Sequence, residues 1–459
     1  MEFTTIEYIT GGIVIALALV QVLYLFIVYG ATHRRYTKEQ KGLLKQSDKQ
    51  PGMSVIITAS DQEEVLAKHL PLILEQDYPD FEVIVVDDNS EDDTKELLER
   101  LCKQYPNLYM THTSDSIRYV SHKKLALTLG IKAAKKEWLV FTEANCYPMT
   151  NQWLARLSRH CNDNADVVLG YSNYERTAGF ASLCRMYDAL LQQLRLLGIT
   201  LLGSGYMGIG RNMAYRRELF FTHKGYSRHL DLERGEDDLF IYEHVPAKRI
   251  TADVNEVSVV RCTSGSHGWK NEKLSRHFMR SKMRGLRPML FSFDTWTRAL
   301  LYIAVASSIT IGCIKHWWLL VLATVLSWGI YLGCRIFVFH RVARELGERR
   351  YNVSIPLLDI IGGGAVTDEG AGSIGGIRGN GGIGGIGVGG SGGCLGICGG
   401  GALGEGQVAA VSGGIGGGIR GIGGVCIGGV ISLVTGGQSR CGQQEERQKE
   451  GGSAGGEFS

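Results

Sequence analysis

The stretch Leu139–Pro148, LVFTEANCYP, has a spacing with which a strand end can hold a divalent cation: an acid, Glu143, two residues before a second oxygen donor, Asn145. Mg²⁺ and Mn²⁺ prefer hard oxygen ligands, and one or two carboxylates plus the oxygens of a bound phosphate can suffice. Glu143 offers a charged oxygen and Asn145 a neutral one, so the pair carries one unit of charge less than two acids would. The same residues also suit a plain strand end whose acid caps the next segment. A second cluster, Asp87-Asp88-Asn89-Ser90, closes the run FEVIVV. Asn89, Ser90 and Asp93 are ordinary turn and cap formers. Two adjacent carboxylates where a strand leaves a sheet ask for more, because an uncompensated buried acid is costly. One of them is expected to accept a hydrogen bond from a ligand.

Two further stretches carry chemistry. Glu236-Asp237-Asp238 follows Gly235 and precedes an apolar helical start. A helix N-terminus accounts for such acids through its dipole. Alternatively, one carboxylate, pressed by its neighbours and partly desolvated, can take a proton as a general base. The basic segment Trp269–Arg284 suits an interfacial helix on anionic lipid. Within it Lys273 and Arg276, three apart on one face, suit a diphosphate, with Trp269 and His277 as walls.

The elements that position these groups alternate. Apolar runs at 54–59, 81–86, 108–113 and 138–142 read as strands, and amphipathic stretches at 63–75, 93–105 and 121–135 as helices. Continuous apolar strands separated by helices of this length predict an α/β, mostly parallel sheet covered on both faces. Ligands of such sheets gather beyond the carboxyl ends of the strands, where both acidic clusters fall.

Three apolar runs predict membrane passage: Ile9–Val28, Ala299–Ile314 and Trp317–Phe339, the last two as a hairpin turning at Lys315 and His316. The first starts Met-Glu-Phe and is followed, not preceded, by basic residues, so a retained anchor is expected rather than a cleaved leader. Arg34, Arg35 and Lys38 follow the first run and Arg341 and Arg344 the third, which predicts a multi-pass protein of the inner or plasma membrane with the polar region in the cytosol. A net charge of +3 gives no ground for a nucleic-acid partner. The 11 cysteines are odd in number and lack a C-x-x-C array, which predicts reduced thiols rather than a zinc site or disulfide framework. From Gly362 on, 40 of the chain's 62 glycines fall in the last 98 residues, too many to repay the entropy of ordering. That tract is expected to be disordered.

Taken together, SVIITASDQEEVLAKHLPLILEQDYPDFEVIVVDDNSEDDT, KKLALTLGIKAAKKEWLVFTEANCYP, GIGRNMAYRRELF and the GEDD acids resemble membrane-bound inverting glycosyltransferases of family 2. The resemblance implies a nucleotide-sugar-binding GT-A-type fold over 53–293. Around it the reading places an anchor at 1–30, a basic linker at 31–52, a transmembrane hairpin at 294–345, a cytosolic segment at 346–361 and the glycine-rich tail at 362–459. Asp87 and Asp88 then correspond to nucleoside-binding acids, and Lys123 or Lys124 to a lysine near the nucleotide. Glu143 and Asn145 fall on the metal motif, implying bound Mg²⁺ or Mn²⁺, weakened by the amide. Gly210, Asn212 and Arg216 match the acceptor-side loop, Asp237 with Glu236 the catalytic base, and Lys273 with Arg276 the element that holds the leaving diphosphate. Implied partners are a nucleotide-sugar donor, a lipid-linked or glycan acceptor and membrane lipid. The rival reading is a catalytically impaired relative acting as a scaffold.

Overall fold

The computed structural model describes residues 5–364 apart from 45–46, 48, 114–120, 230–231, 233–234, 264–275, 350 and 352–353. It starts with helix α1 (Thr5–Tyr24), a π-helical turn (Leu25–Tyr29) and α2 (Gly30–Gln40), one continuous rod. The π turn loosens the local ladder. Arg34 reaches back to donate to the carbonyls of Phe26 and Ile27, both at 2.6 Å.

The rod leads into β1 (Met53–Ala59), α3 (Glu63–Leu74), β2 (Phe81–Asp87), α4 (Thr94–Gln104), β3 (Leu108–His112), α5 (His122–Ala133) and β4 (Trp138–Phe141). These four strands are parallel, in the order β3-β2-β1-β4. After β5 (Cys146–Pro148), α6 (Trp153–Ser158), β6 (Val167–Leu169), β7 (Ser172–Tyr174) and α7 (Phe180–Ile199) come β8 (Met213–Arg216), α8 (Arg217–Thr222), α9 (Asp238–His244), β9 (Ile250–Ala252) and β10 (Val260–Cys262). β8 joins β4 antiparallel, and β6 and β9 extend the sheet to seven strands.

Alternation along the strands fixes two cores. Val55, Ile57, Val83 and Val85 pack with α3, α4 and α6 on one face, whereas Ile56, Ile84 and Val86 pack with α5 and α7 on the other. The mostly parallel sheet with helices on both faces is thus present, completed by a shorter antiparallel part.

A small second sheet, β5-β10-β7, stands beside the end of β4. Its register sets Cys146 opposite Cys262, and the two form a disulfide with Cα atoms 4.0 Å apart. This corrects the expectation of reduced thiols throughout. The pair is 116 residues apart in sequence, so no local spacing announces it.

A short helix α10 (276–282) precedes the long α11 (Leu286–Ile314) and α12 (Trp318–Glu345), and α13 (Ile355–Gly364) follows. Three helical segments, Glu7–Gln40, Leu286–Ile314 and Trp318–Glu345, are long and apolar enough to cross a membrane. α11 starts eight residues before the expected hairpin boundary at 294, so the run that looked short becomes a helix of 29 residues. Lys315 and His316 form the turn, His316 with φ of 57°. α13 carries helix three residues into the expected tail, and residues 365–459 lie outside the described residues.

The long helices are fastened to the α/β domain by backbone packing and buried charge. A Cβ on Gly198 of α7 would lie 2.3 Å from the Val28 carbonyl oxygen, so only glycine lets α7 approach the π turn this closely. Asp294 of α11 accepts from Tyr29 (3.2 Å) and pairs with Arg298 and Arg195 at 3.3 and 3.6 Å. Arg335 of α12 donates to Asp359 of α13 at 2.7 Å, and Tyr187 of α7 donates to the same carboxylate at 2.8 Å.

Candidate active site

The carboxyl ends of β1, β2 and β4 point to one rim, and the chemistry-bearing side chains collect there. Glu143 stands two residues beyond β4. Lys123 in the first turn of α5 places its Nζ 3.5 Å from Glu143 and 2.8 Å from Glu236. The loop Met207–Arg211, leading into β8, and the acids at the start of α9 complete a cavity lined also by Arg276 and Met279. Residues from five segments of the chain therefore share one space.

Asp237 is the N-cap of α9. Its Oδ1 accepts from the Asp238 amide at 2.9 Å and its Oδ2 from the Gly210 amide at 2.7 Å. A Cβ on Gly210 would come within 3.3 Å of that Oδ2, so a glycine there lets the backbone donor approach. Burial and the neighbouring Glu236 push the Asp237 carboxyl up, against Lys123, the Gly210 amide and a hydrogen bond with the Asp238 side chain. Asp238, buried beside both acids, is pushed well above the carboxylate range. Glu236 runs the other way: burial would raise it, but contact with Lys123 brings it down. One Glu236 oxygen, Oε2, is buried with no hydrogen-bond partner. Three consecutive acids thus have environments that drive their affinities for protons apart, the pattern that separates an ionised partner from a proton acceptor.

Glu143 is a third exposed to the cavity. Burial would raise its carboxyl, yet Lys123 and Arg211 hold it at about 2. Arg211 Nε donates to its Oε2 at 3.2 Å, and the Arg211 guanidinium lies 4.9 Å from the Tyr174 ring centroid. Arg211 is a residue that sequence reasoning passed over. The available signal was its position between Gly210 and Asn212, at the cavity end of the strand MAYR.

Asp88 lies on the same rim but is not part of the cavity wall. Its amide donates to the Ala59 carbonyl, its Oδ1 accepts from Thr113 at 2.8 Å, and His122 stands 3.7 Å away. His122 and Lys123, adjacent in α5, thereby connect Asp88 with Glu143 and Glu236. Asp87 is buried and accepts from the amide and hydroxyl of Ser90, which makes it part of the turn.

Four sequence expectations change. Lys124 is 1% exposed and donates to the carbonyls of His229 and Leu232, so it anchors α5 and does not face the cavity. Asn212 is buried: Nδ2 donates to the carbonyls of Tyr171 and Ser258 and Oδ1 accepts from Trp153, so its amide is used inside the fold and does not line the cavity. Arg216 pairs in register with Trp138 at the start of β4, because β8 runs antiparallel; it lies at the opposite edge of the sheet. There it donates to Glu137 and to the Asn162 carbonyl. Asn145 donates to the Thr263 carbonyl at 2.8 Å and does not line the Glu143 cavity. His277 is exposed, whereas Trp269 and Lys273 lie outside the described residues.

Glu143 and Asn145 do not fit a metal held by the protein. Asn145 turns its Nδ2 to the Thr263 carbonyl and lies off the cavity that Glu143 lines, and the Glu143 carboxylate already has two cations within 3.5 Å. Among the described residues no three His, Cys, Asp or Glu side chains gather as ligands.

Residues 54–221 match the family described as glycosyl transferase family 2. The glycosyltransferase AglE of Haloferax volcanii is 32% identical over 142 residues, covering 30% of this chain and 45% of the relative. The beta-monoglucosyldiacylglycerol synthase of Trichormus variabilis is 32% identical over 113 residues, covering 24% and 23%. The chain therefore spans less than half the length of either relative. Among solved structures, a mannosyltransferase of Pyrobaculum calidifontis in complex with GDP-Man and Mn²⁺ aligns with 72% of this chain and 98% of its own, at 21% identity and a TM-score of 0.44.

Proposed function

We propose, from the match of residues 54–221 to glycosyl transferase family 2, that the chain is a membrane-anchored, inverting glycosyltransferase using a nucleotide-diphosphate sugar. The observation that carries this reading is the shared cavity: Lys123, Glu143, Arg211, Glu236, Asp237 and Arg276, from separate segments, line one space at the carboxyl ends of the parallel strands. The acceptor hydroxyl gives its proton to Asp237 as its oxygen attacks the anomeric carbon. The bond from that carbon to the phosphate oxygen breaks on the opposite face, and its electron pair leaves with the diphosphate. Lys123, Arg211 and Arg276 receive the departing charge, stabilisation placed in advance where charge develops. Asp88, on the same rim, is assigned to the nucleoside.

The three long apolar helices and the name of the Trichormus relative, a synthase of a glucosylated diacylglycerol, support an acceptor borne by a lipid. Basic residues after the first and third spans support a cytosolic catalytic domain. Incubating the purified chain with UDP-, GDP- and dTDP-sugars and a lipid acceptor tests the assignment. Release of nucleoside diphosphate from one donor is the expected result, and none from any donor would overturn it.

Two predictions belong here. Asp237 works only as the carboxylate, so activity falls as pH drops through its raised pKa. The acid limb of kcat/KM is expected above the ordinary aspartate value of about 3.9. Lys123 draws that pKa down, so in Lys123→Met the limb moves to higher pH, a shift read from its position and not from the height of the profile. The second concerns metal. With three protein cations at the cavity, turnover in EDTA is expected to stay within about tenfold of that in millimolar Mg²⁺. Loss of all activity in EDTA, restored at micromolar metal, would show that a metal does this work.

A further inference from the structure

A second cavity of about 730 Å³ opens between α2 and the end of α12 and shares no lining residue with the catalytic one. Its walls carry Lys41, Arg341 and Arg344, all exposed, together with His340 and Phe337. The one acid in the lining, Glu345, is taken by His33 across the groove. Neither Arg341 nor Arg344 makes a hydrogen bond or ion pair within the described residues, and Nε2 of His340 is buried there without a partner. Three cationic side chains with unused donors are therefore gathered around a single carboxylate, Glu345, that His33 already engages.

The placement decides what could. α12 shows an exposed apolar stripe, Leu319, Leu322, Leu326, Ile330 and Phe337. At the next turn that stripe becomes Arg341 and Arg344. α1 and the π turn present Ile9, Ile13, Leu19, Leu23 and Phe26 outward before the rod reaches Lys38 and Lys41. Both apolar tracks end at the groove, so an acyl chain lying along them would bring its headgroup between the cations. Such basic pockets at the end of membrane helices suit anionic headgroups. We propose that this groove is a binding site for the phosphate headgroup of an anionic phospholipid, with Arg341, Arg344 and Lys41 pairing the charge and His340 donating to a phosphate oxygen. The proposal rests on the membrane-spanning part of the reading above and not on the transferase activity.

The test uses the full chain in a non-ionic detergent, with bound lipid counted by native mass spectrometry after adding phosphatidylglycerol or phosphatidylcholine. Phosphatidylglycerol is expected to be retained and phosphatidylcholine, which has the same phosphate but no net charge, to be lost. Arg341→Gln/Arg344→Gln is expected to weaken phosphatidylglycerol binding about 30-fold, and Lys41→Gln alone about fivefold. Lys103→Gln, a charge change on exposed α4, serves as the control and leaves binding unchanged. A monodisperse elution profile establishes that each variant is folded. Equal retention of the two lipids, or unchanged binding by the double variant, overturns the proposal. Displacement of the lipid by millimolar inorganic phosphate also overturns it, because the groove would then be a site for free anions.

Discussion

Asp237→Asn is expected to lower kcat by about 10³-fold while nucleoside diphosphate affinity changes by less than about threefold, the loss typical of a positioned general base. Two backbone amides fix the carboxylate, Gly210 on Oδ2 and Asp238 on Oδ1, and its burial beside Glu236 raises its proton affinity. An amide keeps the shape and removes the proton acceptor. It also turns one N–H₂ toward a backbone N–H, so Asp237→Glu is the companion variant that keeps the charge and displaces it. Both are measured by donor consumption and by calorimetry with the diphosphate. A kcat within tenfold of the parent, with affinity intact, would remove Asp237 from the chemistry and leave Glu236 as the acid nearest the cations. Glu236 is a poor substitute, because Lys123 at 2.8 Å keeps it ionised and occupied.

The half of the sheet that carries the site could be read in the residues, and the other half could not. Strands 53–59, 81–87 and 138–141 are buried on both faces, so each reads as a short, mostly apolar, β-branched run. β6, β7, β9 and β10 have three residues each, and no periodicity can be detected in three residues. This difference accounts for the errors at the site. Acids at the ends of parallel strands were placed on the correct rim, because a parallel strand's direction says where its end points. Arg216 was misplaced because β8 runs antiparallel, and a strand's direction within a sheet is a tertiary property. Asn212 looked like a ligand-binding amide, but its hydrogen-bond partners Trp153, Tyr171 and Ser258 are 59, 41 and 46 residues away. The disulfide follows the same rule. Cys146 and Cys262 meet only because β5 and β10 pair in one register.

The largest expected effect on stability comes from the junction between the long helices and the domain. Asp359→Leu is expected to destabilise the protein by about 3–5 kcal/mol, since it leaves the buried Arg335 guanidinium without its closest counter-charge. Arg335 is 0% exposed and its closest acid is Asp359 at 2.7 Å; Arg298 lies 3.6 Å from the same carboxylate. Tyr187 and Tyr302 also donate to it, so five side chains from α7, α11, α12 and α13 are held at this point. The measurement is thermal unfolding in detergent, followed by intrinsic fluorescence. A packing loss and a charge loss predict different outcomes for a second substitution. If the cost is the stranded charge, Arg335→Met in the Asp359→Leu background recovers about half of the stability or more, because replacing a buried pair by apolar groups is often neutral. If the cost were lost packing, the two substitutions would add. Arg335 also stacks 4.9 Å from the Phe339 ring, a contact that methionine keeps in part, so the charge term should dominate the cycle. Additive losses would make this cluster a steric wedge and not an ionic clamp.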